Sequence, residues 1–346
     1  MNLHYTPYLL EFKHPFGVSS NTRTHTPTVY VRLEMDGVYG YGEACLPKYL
    51  GESTEETLTF LKQVKLLFEK ATKLEQIQEM KDELDRIFPA NNAGKAALDT
   101  SYWDLKGKLL NKPLYSLFGI QKSDEIVTSH TIGIDEEKKI EEKVMEAEEF
   151  KILKIKIGTK DDKELIRTLK KFTDKPLYVD VNQGWTDLGF AIEMSHFLSE
   201  NNVVLIEQPM PVNRIEEMVL LTEKSPIPTI ADENVKRLSD IANLKGVFSG
   251  INIKLMKCGG VTEAFKMIES AKTNNMKVML GCMAESSCAT AAMVHFAGMA
   301  DYVDLDAPCL IKNDPFEGIN YMNGRITPLD SPGIGIRLKS IDSLFE

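Results

Sequence analysis

The segment KILKIKIG, Lys151–Gly158, sets two lysines one residue apart. A strand alternates its faces with period two, so Lys154 and Lys156 share one face while Leu153, Ile155 and Ile157 share the other. Taken alone, the pattern suits a solvated edge strand. Other short β-branched runs, however, also end in charge: PLYVDVNQG carries Asp180, NVVLIEQP carries Glu207, IPTIADE carries Asp232 and GINIKL runs into Lys254. Three carboxylates converging in a confined space repel one another unless a cation joins them, and this number of hard oxygen donors suits Mg²⁺ with its remaining positions left to water or substrate. A lysine next to another ammonium and a dication gives up its proton more readily and can serve as a general base. Lys154 could in this way depress Lys156 and hold a substrate carboxylate. Asp232 by itself reads equally well as a helix N-cap, and Asn182, two residues after Asp180, as either a ligand-orienting group or a plain turn residue.

Such residues meet only if their strands lie side by side. Eight strand-like runs follow one another from about residue 126: EIVTSHTIG, ILKIKIG, PLYVDVNQG, NVVLIEQP, IPTIADE, GINIKL, KVMLGC and YVDLD. Amphipathic segments such as DEEKKIEEKVMEAEEF, TDLGFAIEMSHFLSE and VTEAFKMIESAKTNN separate them, at the spacing of about 25 residues that a βα unit needs. The last run lacks an equally clear helix. The order predicts an α/β fold, a closed (β/α)7β TIM-like barrel, with chemistry at the C-terminal strand ends. There the second and sixth strands face each other, so Lys156 and Lys254 approach the axis from opposite sides with the acids between them. Asp304 and Asp306 end the eighth run. A doubly wound open sheet is the alternative, although no G-x-G-x-x-G follows the first strand to support its dinucleotide version.

Residues 1–120 read differently. TVYVRLEMDGVYGYGEA is hairpin-like with a D-G turn, and helices run through NAGKAALDTSYWDLKGKLLNKPLYSLFG. This predicts an α+β capping domain over residues 1–120, a barrel over 121–312, and a tail over 313–346 that returns to the first domain, with N-G and P-G turn signals and no helical period.

At 346 residues and 43% apolar, the chain can bury a sizeable core. Its net charge of −10 and lack of a long basic run argue against nucleic acid. No apolar stretch approaches the roughly 20 residues that span a bilayer. Five cysteines without a C-x-x-C pair, and an N-terminus without the layout of a signal peptide, predict a reduced, cytoplasmic protein. A homo-oligomer is compatible with all of this.

K-I-K at 154–156, D-V-N at 180–182, E-Q-P at 207–209, A-D-E at 231–233 and K-L-M-K-C-G-G at 254–260 together resemble the muconate lactonizing enzyme subgroup of the enolase superfamily. Y-G-Y-G-E-A at 39–44, G-K-A-A-L-D at 94–99 and the P-G-I-G-I ending extend the likeness over nearly the whole chain, and D-L-D-A-P at 304–308 is similar to the dipeptide epimerases, particularly the L-Ala-D/L-Glu type. The superfamily's use of a lysine or histidine base with Mg²⁺ on an enediolate is an established pattern. The resemblance implies one Mg²⁺ per subunit on Asp180, Glu207 and Asp232, a dipeptide substrate, and a 1,1-proton transfer in which Lys156 and Lys254 exchange roles with substrate configuration. It further implies that Asp304 and Asp306 bind the substrate ammonium, that Thr131, Lys154 and Cys282 line the substrate, and that such peptides come from cell-wall recycling. Thr131 and Cys282 could equally be strand packing.

One departure concerns side-chain specificity. Glutamate-type epimerases carry an arginine in the N-terminal loop that meets the substrate's side-chain carboxylate; here Arg23 is the arginine available, about two residues later by ungapped count. Tyr49 and Leu50 are expected on the other wall. An o-succinylbenzoate synthase or N-succinylamino acid racemase would share the lysines and metal ligands, and D-L-D separates them by charge. A non-catalytic ligand-binding barrel would be expected to lack a base or a ligand.

Overall fold

The computed structural model describes residues 1–18, 21–133, 137–159, 161–339 and 344–345. Eight parallel strands follow one another in chain order: Ser129–Ile132, Ile152–Lys156, Leu177–Asp180, Val203–Glu207, Thr229–Ala231, Gly250–Ile253, Lys277–Gly281 and Tyr302–Asp304. Each is short and mostly buried, as strands covered on both faces must be. Side chains help close the ring: Ser129 Oγ donates to Asp304 Oδ1 at 2.7 Å, and the Leu305 amide donates to Thr128 Oγ1 at 2.9 Å.

Period-two alternation stacks the interior in layers. Tyr178, Leu205, Ile230 and Met279 form a separate apolar cluster, each two residues before the strand-end position that opens on the mouth. Outward-facing Leu153, Ile155, Val179 and Ile206 join the main core under the helices. The interior is therefore plugged below, and polar groups are confined to its C-terminal end.

The first expected strand divides. Ile126–Val127 pairs antiparallel with Arg325–Thr327 of the tail, and only Ser129–Ile132 belongs to the barrel. The last strand also stops earlier than its pattern suggests, because Asp306 sits at the head of the short helix Ala307–Leu310 and not on a strand face.

Over the barrel lies a three-stranded antiparallel sheet, Asn2–Val18, Asn21–Met35 and Val38–Cys45. Asp36 and Gly37, at φ 52° and 77°, make the left-handed turn that matches the twist of a tight hairpin. The helix Asn92–Leu109 packs so closely on the third strand that a Cβ on Gly42 would lie 1.9 Å from the Ala97 carbonyl oxygen. The tail returns here: Phe316 rests edge-on against Tyr30 and Tyr41, and the Ile334 amide donates to Asp104.

Two buried acids fasten this sheet and helix to the barrel. Glu43 accepts from the amides of Ser286 and Ala289 at 3.0 and 3.2 Å, at the start of the helix Ser287–Val294. Asp99 accepts from the Thr262 amide at 2.8 Å, at the start of the helix Val261–Thr273. Carboxylates at helix N-termini satisfy amides that have no intrahelical partner.

Gly42→Ala should overpack the sheet–helix contact and cost about 1–3 kcal/mol or more, because backbone and not a flexible side chain is in the way. A lowered thermal midpoint checks this; an unchanged midpoint would contradict the close approach.

Candidate active site

The second strand brings Lys156 in register with Asp180, and the third brings Asp180 in register with Glu207. Asp232 and Lys254 each follow directly on the fifth and sixth strands. All these side chains converge on one mouth. Lys156 Nζ lies 2.8 Å from Asp180 Oδ2, and on the far side Lys254 Nζ lies 2.7 Å from Asp232 Oδ2. Glu207 sits between the two lysines' partners, with Lys254 Nζ 3.6 Å from its Oε1.

Lys154, one layer lower, reaches up into the acids. Its Nζ is 2.7 Å from Glu207, 2.7 Å from Asp304 and 3.4 Å from Asp180. Burial pulls its pKa down, but Asp304, Glu207 and Asp180 hold it well above the usual lysine value. Its charge is thus spent on three carboxylates, which leaves less of it to press on Lys156 or to meet a substrate carboxylate than the sequence pattern suggests.

The acids answer to the same charges. Burial would raise Asp232, yet Lys254 and Lys257 hold it well below the ordinary carboxylate range. Lys254 is pulled down by burial and, more strongly in sum, up by Asp232 and Glu207, so its pKa stands well above normal. Burial and Asp180 raise Glu207.

Asn182 adopts the left-handed conformation, at φ 46°, and its Oδ1 accepts from Lys156 Nζ at 2.9 Å. It therefore positions the lysine. At the other end, Asp306 accepts from the Thr131 amide at 2.6 Å, and burial followed by Asp304 raises its pKa to about 7. Cys282 Sγ donates to the Asp304 carbonyl at 3.2 Å.

Arg23 lies not in an irregular loop but on the second strand of the long hairpin, opposite Phe16. Its guanidinium sits 5.2 Å from the Tyr49 ring centre and 5.9 Å from that of Phe12. Its NH1 is buried without a hydrogen-bond partner. Tyr49 OH approaches Met283 Sδ at 3.1 Å, which places this wall above the seventh strand.

Sequence reasoning passed over Lys257 and Asn252. Lys257 Nζ donates to Asp232 Oδ1 at 2.5 Å, to the Asp232 carbonyl at 2.7 Å and to the Asn252 carbonyl at 3.0 Å. Asn252 Nδ2 donates to Glu207 Oε1 at 2.8 Å. The available signal was spacing: Lys257 follows Lys254 by one helical turn in an otherwise apolar stretch.

As they stand, the described residues include no group of three acidic, histidine or cysteine side chains in chelating geometry. The carboxylates turn to the lysines instead. The donor set nevertheless fits a hard divalent cation: three oxygen donors at successive strand ends, all buried, with Glu207 Oε2 accepting no well-formed hydrogen bond even though Lys154 is its ion-pair neighbour. Among the described residues no helix is long and apolar enough to cross a membrane.

An eight-stranded α/β barrel roofed by an antiparallel sheet, with lysines facing each other across three acids, defines the class of this protein. The chain belongs to the mandelate racemase/muconate lactonizing enzyme group of the enolase superfamily: the N-terminal domain model of that group matches residues 6–119, and the enolase C-terminal domain-like model matches residues 137–342. It is 46% identical over 97% of its length, and 88% of the relative's, to the L-Ala-D/L-Glu epimerase of Bacteroides thetaiotaomicron. The N-succinyl-L-Arg/Lys racemase of Bacillus cereus is 31% identical over 99% of this chain and 96% of that one. The structure of a dipeptide epimerase from Cytophaga hutchinsonii, complexed with Mg and D-Ala-L-Val, superposes with a TM-score of 0.92 at 28% identity, covering 99% of this chain and 96% of the other.

Replacing Lys257 with Met should leave Asp232 short of one buried countercharge and remove one hydrogen bond from each of two backbone carbonyls, those of Asp232 and Asn252. Breaking a buried pair in this way costs about 3–5 kcal/mol. Denaturant unfolding measures it, and a loss below about 1 kcal/mol would show that Lys257 contributes little.

Proposed function

We propose that this chain is a Mg²⁺-dependent dipeptide epimerase that inverts the α-carbon of the substrate's C-terminal residue. One observation carries the reading: Lys156 and Lys254 stand four strands apart with Asp180, Glu207 and Asp232 between them, and a further buried acid pair, Asp304 and Asp306, lies beyond. Asp180, Glu207 and Asp232 would hold the metal. When bound, Mg²⁺ supplies positive charge where the substrate carboxylate gathers negative charge as the α-proton leaves.

The chain's own groups do the rest. Lys156 takes the proton from one face, Lys254 returns one to the other, and the two exchange roles with substrate configuration. Asn182 fixes Lys156 for this transfer. Asp304 and Asp306 hold the free α-ammonium of the peptide, with Thr131 and Cys282 beside them. Lys154 is a fixed ammonium between the metal acids and the ammonium-binding acids. The unpartnered NH1 of Arg23 suits a carboxylate on the epimerised residue, as in an L-Ala-D/L-Glu substrate. Cytoplasmic handling of cell-wall peptides is the setting such a substrate implies.

An N-succinyl substrate would bring a carboxylate against Asp304 and Asp306, and like charges buried together are costly. A free ammonium there makes charge-assisted hydrogen bonds worth on the order of 3 kcal/mol, roughly a hundredfold in specificity.

Glu207→Gln should keep the fold and lose turnover. Mg²⁺ at about a hundred times its Kd should stabilise the parent by about 2.7 kcal/mol in thermal unfolding and the variant by much less. Full turnover in EDTA-stripped protein would remove the metal from the proposal.

In deuterated water, Lys254→Ala should exchange the α-proton of one substrate epimer and not the other, and Lys156→Ala should show the opposite preference, with net epimerisation lost in both. A library of dipeptides screened by mass shift identifies the substrate. N-acetylation of a good dipeptide should cut kcat/KM about a hundredfold; equal rates for free, N-acetyl and N-succinyl compounds would favour the racemase reading.

A further inference from the structure

Behind Lys156 lies a fully buried carboxylate that the proposed chemistry does not use. Asp162 opens the helix Asp162–Lys170. Its Oδ1 accepts from the Thr159 amide at 2.7 Å, the Gly158 amide at 3.0 Å and Thr159 Oγ1 at 3.1 Å, and its Oδ2 accepts from the indole Nε1 of buried Trp185 at 3.0 Å. Gly158 and Thr159 belong to the loop that follows Lys156; Trp185 belongs to the loop that follows Asp180 and Asn182. One carboxylate thus ties together the loops leaving the second and third barrel strands, through hydrogen bonds strengthened by its charge.

The same loops meet backbone to backbone. Gly158, at φ 116°, leaves no room for a Cβ, which would lie 2.5 Å from the Val181 carbonyl oxygen, and a Cβ on Gly184 would lie 2.5 Å from Gly158 Cα. Asn182 and Gln183 are both left-handed, at φ 46° and 67°, a conformation that residues other than glycine keep only where their surroundings enforce it. Here the Gln183 amide donates to the Gln208 carbonyl at 2.8 Å, the Trp185 amide donates to the Pro209 carbonyl at 3.0 Å, and Asp162 holds the indole. The product of this strained turn is the Asn182 Oδ1 that accepts from Lys156 Nζ at 2.9 Å. Lys254 stands four strands away, outside the brace.

We infer that Asp162, acting with Trp185, is a positioning residue for Lys156: it fixes the two loops whose separation sets the lysine against Asn182. The inference rests on the two-lysine reading above. A lysine side chain has many rotamers, and proton transfer uses only those that bring the amine to the substrate's α-carbon; an error of about 1 Å in such a placement can cost about a hundredfold. Loosening the brace should therefore slow transfer on the face that Lys156 serves and spare the face that Lys254 serves.

The test separates the faces by α-deuterium uptake from L-Ala-L-Glu and L-Ala-D-Glu. Lys254→Ala leaves exchange to Lys156, and Lys156→Ala leaves it to Lys254. Adding Asp162→Asn to Lys254→Ala should lower kcat for exchange by about thirtyfold or more with KM changed by less than about threefold, whereas adding it to Lys156→Ala should change kcat by less than about threefold. Trp185→Phe, which keeps the ring and removes the indole donor, should act in the same direction by about tenfold, and it carries the test should Asp162→Asn not fold. The inference is overturned if a folded variant slows both faces alike, as a purely structural role would, or slows neither. Absence of deuterium uptake by the parent with any dipeptide would instead overturn the epimerase reading itself.

Discussion

Five carboxylates, Asp180, Glu207, Asp232, Asp304 and Asp306, are buried around one barrel mouth, and every other feature of the site follows from the need to compensate them. An isolated buried ion costs several kcal/mol even after relaxation, so acids can be gathered here only with cations among them. Lys154, Lys156, Lys254 and Lys257 meet that need without neutralising the site evenly. Lys154 and Lys257 are enclosed by acceptors, whereas Lys156 and Lys254 stand on opposite sides, Lys156 on Asp180 and Lys254 on Asp232 with Glu207 3.6 Å away. A divalent cation on the three central acids would take over the compensation and loosen the hold on Lys156 and Lys254, the condition under which an amine becomes a base.

The barrel does not hold this arrangement alone. The loops that carry Lys254–Gly260 and Cys282–Ser286 both run into helices whose first amides are capped by acids from the overlying sheet and helix, Asp99 and Glu43. Gly260, at φ 126°, leaves no room for a Cβ, which would lie 2.5 Å from that of Asp99. Burial raises the Glu43 carboxyl to about 7 despite its hydrogen bonds from Ser286, so the contact carries a real desolvation cost. A roof fastened through such contacts carries Arg23, whose guanidinium sits 5.2 Å from the Tyr49 ring centre. It also explains why Y-G-Y-G-E-A belongs to the chemistry even though none of its residues lines the lysine–acid cluster: its glycines admit the helix and its glutamate ties the roof to the seventh strand's loop.

Much of this was legible in the order of residues along the chain. Strand alternation is a local, period-two property, and in a parallel α/β barrel strand ends share one mouth, so Lys156, Asp180, Glu207, Asp232 and Lys254 could be placed together from spacing alone. What only the tertiary structure decided depends on side-chain reach and on contacts distant in sequence. It gave Asn182 to Lys156, drew Lys154 to Glu207 and Asp304 on strands two and six places away, and enlisted Lys257 and Asn252. It split EIVTSHTIG because Ile126–Val127 found a partner about 200 residues later, in Arg325–Thr327. It moved Asp306 off the strand and onto a helix start, and placed Arg23 on a paired hairpin strand between two rings. Periodicity states which face a residue takes; which neighbour it meets on that face is set by register, layer and the packing of the roof.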